Sequence, residues 1–197
     1  MVTRFGWWSL IVLSVGLYLT VMRPVAAAAS FTLTPAERDA AITLGRQSVI
    51  SEEFGGEWTV AGDAPGQALL VVTPFHRLAL AARNSAFKGQ ELKPKDIDAL
   101  AKDQEATLTL WATLKGAKAD FARFFAPILV SGRQEIKATF AQNERTARRE
   151  DDGSFTARCM YVFPTGKLTA KDTITLIVKN SDSQPVVTFT ADLAAMR

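Results

Sequence analysis

One cysteine, Cys159, and one histidine, His76, are all that the 197 residues hold of either type. A lone cysteine excludes an intramolecular disulfide. Zinc sites take three or four ligands, drawn mostly from His and Cys, so only a carboxylate-dominated metal site stays open. No GxSxG, SxxK, P-loop, dinucleotide glycine fingerprint or HExxH pattern occurs. Asp151-Asp152-Gly153 resembles the start of a calcium loop, but the alternating acids and distal glutamate are missing. It reads as an acidic turn. No cofactor or metal is expected.

A charge excess is lacking too. Arg4 and Arg23 are the only charges in residues 1–29, so 23 Lys and Arg fall to 21 against 20 Asp and Glu, a net +1 for the rest. The basic balance of the full chain therefore gives no case for nucleic acid. Any electrostatic recognition must come from local clusters.

What residues 1–29 do carry is a targeting pattern. Arg4 precedes an uncharged run from Phe5 to Met22, followed by Arg23-Pro24 and the small residues Ala26 to Ser30. Small residues before Ser30 fit signal-peptide cleavage. The run also reaches the ~18 residues a membrane span needs, so an uncleaved N-terminal anchor is the alternative. Both readings export the body, residues 30–197, as one globular domain in the periplasm or outside the cell. Membrane contact is expected only through that first segment.

The helix signals are local. Thr34-Pro35-Ala36-Glu37 is a capping box with proline in the first turn, and predicts a helix over about 35–47. Thr73-Pro74 repeats the start signal for a helix over about 74–88, and Pro94 opens a third to about 104. From 106 to 193 the period changes to two. Leu108, Leu110, Ala112 and Leu114 alternate with Thr109, Trp111 and Thr113, and Phe155, Ala157, Cys159, Tyr161 and Phe163 alternate likewise. The expected fold is mainly β (α+β): an antiparallel β-sandwich with an N-terminal helix and a two-helix insertion. In architecture it resembles immunoglobulin-like envelope domains, though the Cys…Trp…Cys arrangement is missing.

The stretch Arg133 to Pro164 holds the densest arginine cluster. Arg145, Arg148 and Arg149 lie in a polar run with Asn143 and Glu144, and Arg158 stands on its approach. Planar guanidinium forks suit carboxylates and phosphates. Glu144, Glu150, Asp151 and Asp152 are interleaved and could pair with them instead. With Asp152-Gly153 as a two-residue turn, Cys159 faces Thr146, Tyr161 faces Glu144 and Phe163 faces Gln142, an apolar row beside a polar one. The first limb is thus expected to leave the core after Phe140, with Gln142 to Ser154 a protruding loop or hairpin extension.

His76 falls in the first turn of a helix and reads as a packed histidine; a catalytic role would need a cleft and a carboxylate. Cys159 reads as a small buried hydrophobe. Trp58, Trp111, Phe121, Phe124 and Phe125 read as packing residues, or as an exposed aromatic platform. Trp111 lies on the face opposite the leucines. The functional expectation is a non-catalytic exported domain that binds another envelope component, a protein or an anionic ligand, through the hairpin tip 143–149. A carrier of lipid or small apolar ligands is one alternative, and an enzyme with a site near His76 the other.

Overall fold

The computed structural model describes residues 31–103 and 106–197. Residues 1–29, where a signal peptide or anchor is expected, lie outside them. No helix among the described residues is long and apolar enough to cross a membrane.

The chain is mostly β, with two antiparallel sheets and three helices among the described residues, an α+β arrangement. Helix α1 spans Pro35–Gln47 and begins as its residues dictate: Glu37 N–H donates to Thr34 Oγ1, and Thr34 N–H donates to the Glu37 carboxylate at 2.7 Å. Strands β1 (Thr59–Ala61) and β2 (Ala68–Val72) follow, then α2 (Pro74–Phe87) and α3 (Pro94–Asp103). The two later helices are thus inserted between strands. Next come β3 (Thr107–Gly116), β4 (Ala126–Ser131), β5 (Gln134–Lys137), β6 (Phe140–Gln142), β7 (Arg148–Arg149), β8 (Phe155–Pro164), β9 (Thr173–Lys179) and β10 (Pro185–Asp192). The period-two pattern runs through Leu193, but the last strand ends at Asp192. There the Asp192 carboxylate accepts from Ala194 N–H and starts a single 3₁₀ turn.

The larger sheet runs β1-β2-β3-β8-β6, with β7 also on β8; the smaller runs β10-β9-β4-β5. Alternation sends one face of each sheet inward. Leu69, Leu108, Leu110, Leu114, Tyr161 and Phe163 of the larger sheet, and Leu129, Leu176 and Phe189 of the smaller, share one buried cluster. Each is at most 1% exposed. Cys159 lies in the same layer, and burial pushes its thiol above the ordinary range. These side chains from the two sheets pack into one shared core.

Close packing and hydrogen bonds tie the helices and Arg197 to this body. Gly45 of α1 lets α2 approach so closely that a Cβ there would stand 2.1 Å from the Ala79 carbonyl oxygen. Trp58 Nε1–H and Thr73 Oγ1–H both donate to the Arg197 backbone oxygen, at 2.7 and 2.5 Å. The Arg197 guanidinium pairs with Glu57.

Candidate functional surface

The predicted hairpin exists, but its tip does not protrude. β6 and β7 both pair with β8, with Gln142 opposite Met160 and Arg148 opposite Thr156. Five residues, 143–147, therefore stand against three, 157–159, so the first limb carries two extra. Side chains close this bulge. Asn143 Nδ2 donates to the Phe125 carbonyl at 2.7 Å, and the Tyr161 hydroxyl donates to Asn143 Oδ1 at 3.0 Å. Arg158 N–H donates to the Glu144 carboxylate at 2.6 Å. Ala147 N–H donates to the Ala119 carbonyl, and the Ala147 methyl is buried. The expectation of a limb that leaves the core after Phe140 is thus corrected. Polar side chains satisfy the backbone where ladder bonds are broken, which an alternation count does not register.

Asn143 and Glu144 are consequently parts of the scaffold. Tyr161 is fully buried, and a buried donor left without its acceptor costs about 1–3 kcal/mol. Asn143→Ala should lower stability by that amount in urea unfolding, while Arg145→Ala, at an exposed bend, should stay within about 0.5 kcal/mol.

The arginines divide. Arg145 is exposed at the bend. Arg149 is in register with Phe155 at the end of the sheet and is exposed there. Arg148 and Arg158 project from the outer face of the larger sheet, on the side of Trp111. Register fixes the rows of that face. Val72, Thr109, Val162 and Phe140 stand side by side; then Leu70, Trp111, Met160 and Gln142; then Ala68, Thr113 and Arg158; then Lys115, Thr156 and Arg148. One half is apolar and the other cationic. Helix α2 overhangs the apolar half with His76, Arg77 and Leu80, leaving a groove of about 450 Å³ floored by Leu70, Val72, Trp111 and Met160.

Charge on this face is unevenly paired. Arg148 bonds Glu150 at 2.9 Å, and Lys115 stands 3.5 Å from Asp152. Hydrogen bonds to Thr156 for Glu150 and to Ser154 for Asp152, and secondly those ion pairs, hold both carboxyls below the usual range. The Arg158 guanidinium instead lies over the Trp111 ring, 5.0 Å from its centroid. No carboxylate pairs with it among the described residues.

His76 is 2% exposed. Its ring packs 4.6 Å from Trp58 and 5.9 Å from Phe54, and Nδ1 has no hydrogen-bond partner among the described residues. Burial lowers its pKa to about 4, against a smaller opposing pull from Glu57. The imidazole is therefore neutral at physiological pH, and no group among the described residues orients Nδ1 as a base would require. Of the aromatics, Trp58 is buried, Phe121 packs over Gly116, and Phe124 is exposed with Arg123 over its ring. They do not share one platform with Trp111. A second hollow, between α2, α3 and Phe31–Leu33, holds about 180 Å³, below the ~300 Å³ at which small-molecule sites begin. No group of His, Cys, Asp and Glu among the described residues could hold a metal ion.

No family model matches the chain, and no curated protein matches it. Among solved structures, it is similar to a crystal structure of a novel protein of unknown function from Burkholderia pseudomallei K96243. The identity is 10% and the TM-score 0.40, over 83% of this chain and 92% of that one.

Proposed function

We propose that this chain is an exported, non-catalytic domain that binds another component of the cell envelope. The contact face is the outer face of the larger sheet rather than the hairpin tip alone. The observation that carries the reading is the division of that face: Trp111, Met160, Leu70, Val72 and Phe140 on one half, and Arg158, Arg148 and Lys115 on the other. Phe140 is 48% exposed. Aromatic, Met and Arg side chains together are the composition that contact surfaces favour. Export follows from the N-terminal pattern of charge, apolar run and small residues. The two sheets with one shared core support an immunoglobulin-like sandwich as the architecture of this module.

The packed core shared by the two sheets speaks against a carrier that encloses its ligand there, and the packing of His76 speaks against it as a general base. The test is capture from the native envelope by chemical crosslinking, comparing the wild type with Trp111→Ala/Arg158→Ala. Losing the outer-face aromatic anchor and its arginine should weaken capture at least tenfold, with Arg145→Ala unchanged. Equal capture by all three proteins sinks the assignment to this face.

A further inference from the structure

We propose that the groove under α2 binds a free apolar carboxylate: an acyl or aryl chain ending in one carboxylate group. The chain lies on Leu70, Val72, Trp111 and Met160, and the carboxylate is held by Arg158. The inference rests on the contact face proposed above and names the chemistry that face takes.

Four observations converge. The groove's volume, about 450 Å³, lies within the roughly 300–1,000 Å³ of small-molecule sites. Its floor is apolar apart from Thr109, and Leu80 of α2 adds an apolar wall beside Arg77. At the floor's edge the Arg158 guanidinium is parked on Trp111 with its fork unclaimed by any carboxylate among the described residues. The nearby acids are already engaged: Glu144 by the Arg158 N–H, Glu150 by Arg148, and Asp152 by Ser154 and Lys115. The site therefore presents, beside a surface that favours hydrocarbon, a cation that no carboxylate among the described residues pairs with. A carboxylate completes the guanidinium's bidentate geometry, and the attached chain removes the floor from water. His76, 2% exposed in the same wall, supplies a neutral ring there.

The probe is ω-bromododecanoate, whose bromine quenches a tryptophan only at short range, titrated into the full chain. The Trp111→Phe protein separates Trp111 emission from that of the other tryptophans. Saturable quenching of Trp111 is expected. The cationic analogue ω-bromododecylamine should bind at least tenfold more weakly. Arg158→Gln should lose at least tenfold in affinity for the carboxylate, and Arg158→Lys should keep the preference for the anion. Equal binding of both amphiphiles, or full affinity in Arg158→Gln, overturns the proposal. So does an absence of quenching at millimolar probe. If crosslinked capture still depends on Trp111 and Arg158 in that case, the face contacts a protein and only the ligand assignment falls.

Discussion

Gly45→Ala should lower the melting temperature by roughly 4–8 °C, although helix propensity alone argues the opposite. Alanine in a helix interior is favoured over glycine by about 1 kcal/mol. At Gly45 the added Cβ would stand 2.1 Å from the Ala79 carbonyl oxygen and 2.9 Å from Arg83 N, both backbone atoms of α2. Backbone cannot rotate away as a side-chain end can, so α1 and α2 must separate. Overpacking of this kind costs about 1–3 kcal/mol and occasionally more, and in a chain of this size each kcal/mol moves the midpoint by about 2–4 °C. The contact term exceeds the propensity term. Separation would also strain Arg83, whose Nε–H donates to the Ser48 carbonyl at 2.9 Å and whose guanidinium covers Phe54. Thermal melts followed by circular dichroism decide it: a midpoint equal to or above the wild type would mean that the helices do not meet at Gly45.

The second large effect is a loss of stability on mild acidification, traced to His76. In the unfolded chain its imidazole takes a proton near its ordinary value of 6.5; in the fold it does so only at about 4. Between those values the unfolded state binds more protons, so stability present above pH 6.5 is lost as pH falls toward 4. A difference of this size corresponds to about 3 kcal/mol. The lowered carboxyls of Glu150, Asp152 and Asp172 are also stabilising when ionised, but their contribution is lost only as pH falls through the ordinary carboxylate range and below, at the acid end of this window. Denaturant unfolding at a series of pH values should therefore show a slope through this window in the wild type. His76→Phe keeps an aromatic ring between Phe54 and Trp58 and should flatten it. A wild-type curve already flat across the window would show that His76 is solvated.

Much of the frame could be read from the residues. Thr34-Pro35-Ala36-Glu37 and Thr73-Pro74 state where α1 and α2 begin, because capping is local chemistry. The leucines of β3 and the alternating residues of β8 state their inner faces in the same way. The tip was not legible. Asn143 and Glu144 look like solvent-facing loop residues, yet their partners are Tyr161, Phe125 and the Arg158 backbone, brought near by a two-residue bulge. The anchoring of Trp58 to Arg197, 139 positions away, left no local signal either. The candidate face is intermediate: Trp111 is assignable to the outer side by parity alone, but its place beside Arg158 and Met160 depends on the register of β3 with β8.

The claim on which the functional reading turns is that partners meet the outer face of the larger sheet. Site-specific photocrosslinking from exposed positions tests it most directly. A benzoylphenylalanine would replace Gln142, on that face beside Met160, or Thr188, which is exposed on the outer side of the smaller sheet. One discrete adduct is expected from position 142 in the native envelope, and none from 188. An adduct formed only from 188 would contradict that claim.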